Sequence, residues 1–175
     1  MKTLVVVSHP NFAQSRVIKA LQNLAANSNK VIVRNLEAIY GNNLQSFDID
    51  AEQAAYAGVD RVIYLFPIHW FNLTPMLKAY FNHVWSYGWA FGPNGNALQG
   101  KTMQVAVSAG ASAYTYSAAG MIHCSIDEVL TPLKASALYV GMTYLSPFTI
   151  FEAMTINGEQ LDAELTRFQQ LLIGT

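Results

Sequence analysis

Apolar residues follow two rhythms along this chain. Thr3 to Val7 is an unbroken run rich in β-branched residues, and it stops abruptly at Ser8-His9-Pro10. A run without alternation predicts a strand buried on both faces. From Ser15 to Ala26, Val17, Ile18, Leu21 and Leu24 fall at helical spacing instead, which predicts a helix with one packed face. Val31 to Val33 reads as a second short strand. Leu36 to Ile49 has no clear period and holds Gly41 and two asparagines, so it reads as a loop. Ala51 to Ala57 reads as a short helix, and Arg61 to Phe66, led in by Asp60 and stopped by Pro67, as a third strand.

The alternation continues. Pro75 opens a helix carrying Met76, Leu77, Phe81 and Val84; proline suits a first turn, where its missing N–H would be unpaired in any case. Gly88 to Gly100 is a long loop with Pro93 and repeated glycines. Lys101 to Val107 is a fourth strand, ending at Ser108-Ala109-Gly110. A loop runs through Tyr116 to Gly120, a helix covers about Ser125 to Tyr139, and Met142 to Phe151 contains a fifth strand. The last helix, about Gln160 to Leu172, places Leu161, Leu165, Phe168 and Leu172 on one face. Strands alternating with helices predict an α/β fold in which a five-stranded parallel sheet is covered on both faces. The 175 residues fit one domain. In such sheets ligands bind beyond the carboxyl ends of the strands, so the loops after the strands come under scrutiny.

Charge narrows the function classes. Ten Lys and Arg face eleven Asp and Glu, for a net charge of −1, so there is no basic footprint for nucleic acid. Charged residues make up 12% of the chain against about 25% in an average soluble domain, and a surface this poor in charge predicts a subunit interface. The lone Cys124 allows no internal disulfide, which suits a reducing compartment. No signal-peptide pattern follows Met1, and no apolar run nears the roughly 18 residues of a membrane span. A soluble, cytoplasmic protein is expected. No metal-ligand spacing and no paired-carboxylate motif stand out.

Three loops carry candidate chemistry. The first, Ser8 to Arg16, leads into a helix N-terminus, where free N–H groups and the helix dipole suit an anion; Ser15, Arg16 and the His9 ring can add donors. Neither GxGxxG nor GxxxxGK[ST] is present, which points away from the dinucleotide fingerprint and the P-loop and towards a nucleotide such as FMN held by another kind of loop. The competing reading is a plain turn with Ser15 as an N-cap. The second loop is Pro67-Ile68-His69-Trp70-Phe71-Asn72. It can lay an aromatic wall beside a flat ring system, or serve as a hydrophobic plug under the next helix. Ten of the 21 aromatic residues fall between Tyr64 and Phe91, a density that suits a stacking pocket, an interface, or both. The third loop, Ser108-Ala109-Gly110-Ala111-Ser112, is made of small residues that let backbone approach a ligand. It can equally be an ordinary flexible loop. Near it, Tyr116 and His123 form a candidate catalytic pair able to stabilise charge on a reduced flavin, although a structural histidine competes for His123.

The stretches Ser8-His9-Pro10 and Pro67-Ile68-His69-Trp70-Phe71, the latter leading to Pro75-Met76-Leu77-Lys78, resemble the NAD(P)H:quinone oxidoreductases of the DT-diaphorase type. Gly88-Trp89-Ala90-Phe91-Gly92, Ala97-Leu98-Gln99-Gly100-Lys101 and Thr131-Pro132-Leu133 with Gly141 and Pro147-Phe148 are more specific. They resemble the ancillary oxidoreductases of glutathione-gated potassium efflux systems, the Kef type. The likeness spans nearly the whole chain. It implies a single flavodoxin-like, three-layer FMN-binding domain over residues 1–175, a homodimer with active sites at the subunit boundary, and non-covalent FMN reduced by NAD(P)H and reoxidised by a quinone in ping-pong fashion. By position, His9, Ser15, Arg16, Val17 and Ile18 would hold the phosphate end. Pro67, Ile68, His69, Trp70 and Phe71 would border the isoalloxazine, and Ser108, Ala109, Gly110 and Ala111 its pyrimidine side. Tyr116 matches a tyrosine that helps stabilise reduced flavin. Ile18, Ala109 and Ala111 depart from the asparagine, threonine and glycine common in relatives, and His123 is displaced from the family's partner histidine.

Two function classes follow: an FMN-dependent NAD(P)H:quinone oxidoreductase, and a regulatory subunit docking on a Kef-type potassium efflux transporter at the inner face of the membrane. An electron-carrying flavodoxin is disfavoured, since those proteins are strongly acidic and this chain is near neutral.

Overall fold

Alternate residues of the central strands point into two separate cores. In the computed structural model, which describes residues 1–174, β1 (Thr3–Val7) sends Leu4 and Val6 to one side and Val5 and Val7 to the other, all four fully buried. β3 (Arg61–Pro67) and β4 (Thr102–Ser108) divide their residues in the same way. Burial on both faces is what the unbroken apolar runs demanded. One core is closed by α1 (Val17–Ala26) and α7 (Gly158–Ile173). The other is closed by α2 (Leu36–Tyr40), α3 (Ile49–Ala55), α4 (Pro75–Val84) and α6 (Thr131–Tyr139). The result is the expected three layers.

All pairings are parallel, in the order β2-β1-β3-β4-β5, where β2 is Val31–Asn35 and β5 is Thr143–Tyr144. A further strand, β6 (Phe148–Ile150), pairs with β4 beyond β5. The fifth position is therefore split, and the sheet has six strands rather than five. Leu145 N–H still donates to Met103 O at 2.9 Å, and the chain then leaves the ladder through Ser146-Pro147. Pro147 has no N–H to bridge the gap, and the Gln104 side chain takes the Ser146 carbonyl instead.

Two other expectations change. The stretch after β2 is not all loop: Asn35 caps α2 by accepting from Ala38 N–H at 3.0 Å. Gly41 ends α2 at φ 61°, a left-handed backbone that glycine adopts without strain. The helix expected over Ser125 to Tyr139 is two, α5 (Ile126–Val129) and α6, because Pro132 in the first turn of α6 has no N–H to donate to the carbonyl four residues back, which interrupts the helical ladder there.

The order in which successive strands are added to the sheet reverses between β1 and β3, so the loops after these parallel strands diverge and leave a crevice. That crevice holds the candidate site.

Candidate functional site

A cleft of about 530 Å³ opens at this reversal, lined by the loops that follow β1, β3, β4 and β6. The β1 loop contributes His9, Asn11, Gln14, Ser15, Arg16 and Val17 to it. Ser15 does not cap α1. It closes a short 3₁₀ turn, Phe12–Gln14, by donating its N–H to Phe12 O, and no side chain caps the helix. The first N–H groups of α1 have no intrahelical partner by geometry, so they are left at the cleft with the positive end of the dipole. The His9 ring accepts from Asn11 N–H through Nδ1 at 3.0 Å, which leaves Nε2–H as the donor. Burial lowers the His9 pKa, and the neighbouring His69 ring, 6.4 Å away, lowers it further. Arg16 is tethered by a bond from Nη1 to Ile156 O. Ile18 is different: its side chain is fully buried in the core between α1 and the sheet, so only its backbone can face a ligand.

The loop after β3 is a tight hairpin turn. His69 and Asn72 exchange both backbone bonds, at 3.0 and 2.9 Å, and the two residues between them, Trp70 and Phe71, have φ of 48° and 62°. Positive φ at both central positions is the type I′ arrangement, which prefers Asn-Gly. Bulky residues there cost about 1–2 kcal/mol each, and Trp70 is 94% exposed. Strain and exposure together argue against a plug: the turn gives up stability to present an indole to solvent. Pro67, Ile68 and His69 line the cleft, whereas Trp70 and Phe71 stand beyond its lining residues. Phe71 packs edge-on against Tyr116, 6.0 Å between centroids, and Tyr116 in turn meets Phe151 at 5.6 Å.

In the third loop, Ser108 and Gly110 line the cleft. Ala109 is spoken for: its N–H donates to Ile150 O and its carbonyl accepts from Ala153 N–H. Ala111 holds Glu152 N–H through its carbonyl. Small residues serve partly to let this loop pack against the segment after β6. Burial raises the Tyr116 hydroxyl pKa. His123 lies in an exposed turn at φ 52°, with Nδ1 3.1 Å from Ala118 O. The structure does not join it to Tyr116 within the chain.

Residues that sequence reasoning passed over also build the site. Ala153 and Met154 close the cleft from the loop after β6; like the other three loops, it follows a parallel strand, and that was the available signal. Glu37, in the stretch read as loop, accepts from Ser8 Oγ at 2.8 Å. Its other carboxyl oxygen is buried with no hydrogen-bond partner among the described residues. Burial raises the Glu37 pKa, against the lowering pull of Ser8 and of the His9 and Glu37 backbone N–H groups.

The donor set fits a flat ring system that ends in a phosphate. One end of the cleft offers uncapped helix N–H groups, a serine, an arginine and an imidazole N–H. The other offers backbone of small residues beside an aromatic turn. A Cβ placed on Gly110 would meet only Met154, at 3.6 Å, so the chain's own packing leaves that side open.

Comparisons with known proteins agree with this geometry. An NAD(P)H oxidoreductase of Bacillus subtilis, YdeQ, named as uncharacterized, is 38% identical over 96% of this chain and 84% of its own length. The KefF ancillary protein of a glutathione-regulated potassium-efflux system from Klebsiella aerogenes is 35% identical over 97% of this chain and 94% of its own. Among solved structures, general stress protein 14 of Treponema denticola in complex with FMN superposes with a TM-score of 0.91 at 35% identity, covering 99% of this chain and 98% of that one. An NADPH-quinone reductase from P. pentosaceus gives 0.90 at 26% identity, covering 100% and 99%. A chain described as a thermophilic tryptophan halogenase gives 0.94 at 35%, covering 98% and 99%. The model of the family Flavodoxin_2, described as a flavodoxin-like fold, matches residues 1–172. With the 2-1-3-4-5 strand order, the cleft at its reversal and a match over almost its whole length, the chain belongs to the Flavodoxin_2 family of flavodoxin-like proteins.

Proposed function

We propose that this chain is an FMN-dependent NAD(P)H:quinone oxidoreductase, with residues 1–175 as one FMN-binding domain. The observation that carries the reading is the strained Trp70-Phe71 turn beside a cleft whose far end is an uncapped helix N-terminus. Names of relatives support it: an NAD(P)H oxidoreductase, an NADPH-quinone reductase and a protein solved with FMN. FMN, when bound, supplies a two-electron hydride acceptor and donor serving NAD(P)H and a quinone in turn.

The protein's own part is binding and electrostatics. The N–H groups at Val17 and Ile18, the Ser15 hydroxyl, the Arg16 guanidinium and His9 Nε2–H would hold the phosphate. The Gly110 N–H and the Ser108 side chain would meet the ring edge. The Trp70-Phe71 turn, just beyond the cleft lining, would border the ring and narrow the approach of a planar acceptor. Tyr116, wedged between Phe71 and Phe151 with its pKa raised, stays protonated at neutral pH and can donate a hydrogen bond towards developing negative charge. His123 would have to come from a second copy or a moved loop to share that work. A homodimer is part of this proposal, since Trp70, Tyr114, Met121 and Met154 stand exposed.

A second reading has a specific observation behind it. The KefF relative covers nearly the whole chain, so the protein can also serve as a regulatory subunit of a Kef-type potassium efflux transporter. No helix among the described residues is long and apolar enough to cross a membrane; attachment to the inner face of the membrane would go through that partner. The test of the leading reading is the visible spectrum of purified protein with and without added FMN, followed by NAD(P)H oxidation with a quinone. Bound flavin and turnover are expected; a protein that takes up no FMN from a saturated buffer overturns the reading. Co-purification with the transporter tests the second.

A further inference from the structure

The two loops at the ends of the proposed ligand do not contact the sheet independently. They are joined beneath the cleft by a chain of polar side chains. Ser8 is the first residue after β1 and Thr74 the last before α4, and both are fully buried. Their hydroxyls lie 2.5 Å apart. Ser8 Oγ also donates to Glu37 Oε1, at 2.8 Å, while Thr74 Oγ1 accepts from Leu77 N–H at 3.3 Å and so caps α4. With Glu37 ionised the direction of the chain is forced. Leu77 N–H donates to Thr74, Thr74 to Ser8 and Ser8 to the carboxylate, because each hydroxyl has one proton and the carboxylate can only accept.

Two members of this chain, Ser8 and Thr74, adjoin ligand loops. His9, the residue after Ser8, opens the phosphate-side loop. The aromatic turn runs through Trp70 and Phe71 to Asn72 and Leu73, and Thr74 anchors its exit. Glu37 itself stands on α2, which contributes nothing to the cleft lining. Buried polar groups are costly unless satisfied, yet this carboxyl keeps one oxygen buried without a partner. A core that needed only packing would place an apolar residue here.

We infer that Glu37 is a positioning residue: by accepting the Ser8 proton it orients the Ser8–Thr74 bond that ties the phosphate-side loop to the Trp70-Phe71 turn, and so sets the separation of the two ends of the cofactor site. The inference rests on the FMN reading for its functional consequence, and its structural content can be tested without the cofactor. Misplacing loops by a fraction of an ångström is expensive for binding and catalysis.

The experiment compares wild type, Glu37→Gln, Glu37→Ala, Thr74→Val and the double variant Glu37→Ala/Thr74→Val. In apo-protein, amide hydrogen exchange is followed at His9–Gln14 and at His69–Leu73. Glu37→Ala should speed exchange in both loops together, although Glu37 belongs to neither. Glu37→Gln, which keeps an oxygen to accept from Ser8, should restore most of the protection. In FMN titrations, Glu37→Ala should weaken binding by about tenfold, and the double variant should be little worse than either single one, since one chain is broken only once. Flavin bound to Glu37→Ala should also show an altered visible circular dichroism band, which a general loss of stability would not produce. Exchange that rises in one loop only, or everywhere in proportion to a lowered melting temperature, overturns the inference, as does strict additivity of the two variants. If wild type binds no FMN, the proposed function fails while the exchange data still decide the role of Glu37. If Glu37→Ala does not fold, Thr74→Val and Glu37→Gln carry the same comparison.

Discussion

Two groups of aromatic residues from neighbouring stretches of this chain end in opposite environments. Tyr56, Tyr64 and Tyr80 are at most 1% exposed and Trp85 8%. Their polar atoms meet: the Tyr56 hydroxyl lies 2.7 Å from that of Tyr64, 3.1 Å from that of Tyr80 and 3.4 Å from Trp85 Nε1. Each ring there adds apolar area to the core, and each polar tip has a partner, which is the condition for burying such residues. Trp70 has neither benefit, and Phe71, 43% exposed, keeps only its edge contact with Tyr116. The indole of Trp70 is in solvent, and both residues sit in a backbone conformation that favours Asn and Gly. The buried set has the features of stability; the exposed set has the features of a surface kept for a ligand at some cost to stability.

The largest expected effect breaks the buried side of this contrast. Tyr80→Ala should lower stability by roughly 3–5 kcal/mol, as large-to-small core changes do, read from denaturant unfolding. At a temperature where the variant is folded its FMN affinity should change little. A loss under 1 kcal/mol would mean that α4 packs more loosely than its burial says.

On the exposed side, Trp70→Ala should leave apo stability within about 0.5 kcal/mol of wild type. FMN affinity should fall by about tenfold, because a stacked aromatic contact is worth roughly 0.5–1.5 kcal/mol beyond its area. An FMN titration by flavin fluorescence beside apo-protein melting gives both numbers. A collapsed melting temperature with unchanged FMN affinity would put Trp70 back in the core.

A sharper version changes the backbone preference. Trp70→Asn should raise apo stability by up to about 1 kcal/mol, since asparagine tolerates the left-handed region, and should weaken FMN binding as Trp70→Ala does. Stability that stays the same or falls would show that the turn is not strained.

The smallest effect is one of pH. The folded His9 pKa lies below the ordinary value of 6.5 because of burial and His69. A depressed pKa means that the unfolded chain binds more protons in this range, so stability is fully present above pH 6.5 and is lost as pH falls through the folded value. Apo stability should therefore decline from neutral pH towards the lowered His9 pKa, and His9→Gln should flatten that slope. A slope unchanged in the variant would assign it to other groups.

Much of the architecture was legible in the residues. The apolar runs at Thr3 to Val7 and Arg61 to Phe66 could be read because a strand covered on both faces needs no polar positions. α4 could be read because Pro75 and its apolar face agree. α2 could not: it is five residues long and rests on an Asn35 cap that has no periodic signature. The split of the fifth strand hung on Pro147, a local break inside an apolar pattern. Of the site, the three loops after β1, β3 and β4 were identifiable from position alone. The bonds that occupy Ala109 were not, because its partners Ile150 and Ala153 lie far along the chain.

By itself, the sequence determined the alternation of strands and helices, the parallel sheet this implies and the ends of the strands where a ligand can sit. Period and turn chemistry are local properties, written in neighbouring residues. Only the tertiary structure decided which aromatics of the rich stretch are core and which are surface, that Ser15 leaves α1 uncapped, and that Ser8 reaches both Glu37 and Thr74. Those outcomes depend on what burial brings within hydrogen-bond distance from remote parts of the chain, and no spacing along the chain records such a distance.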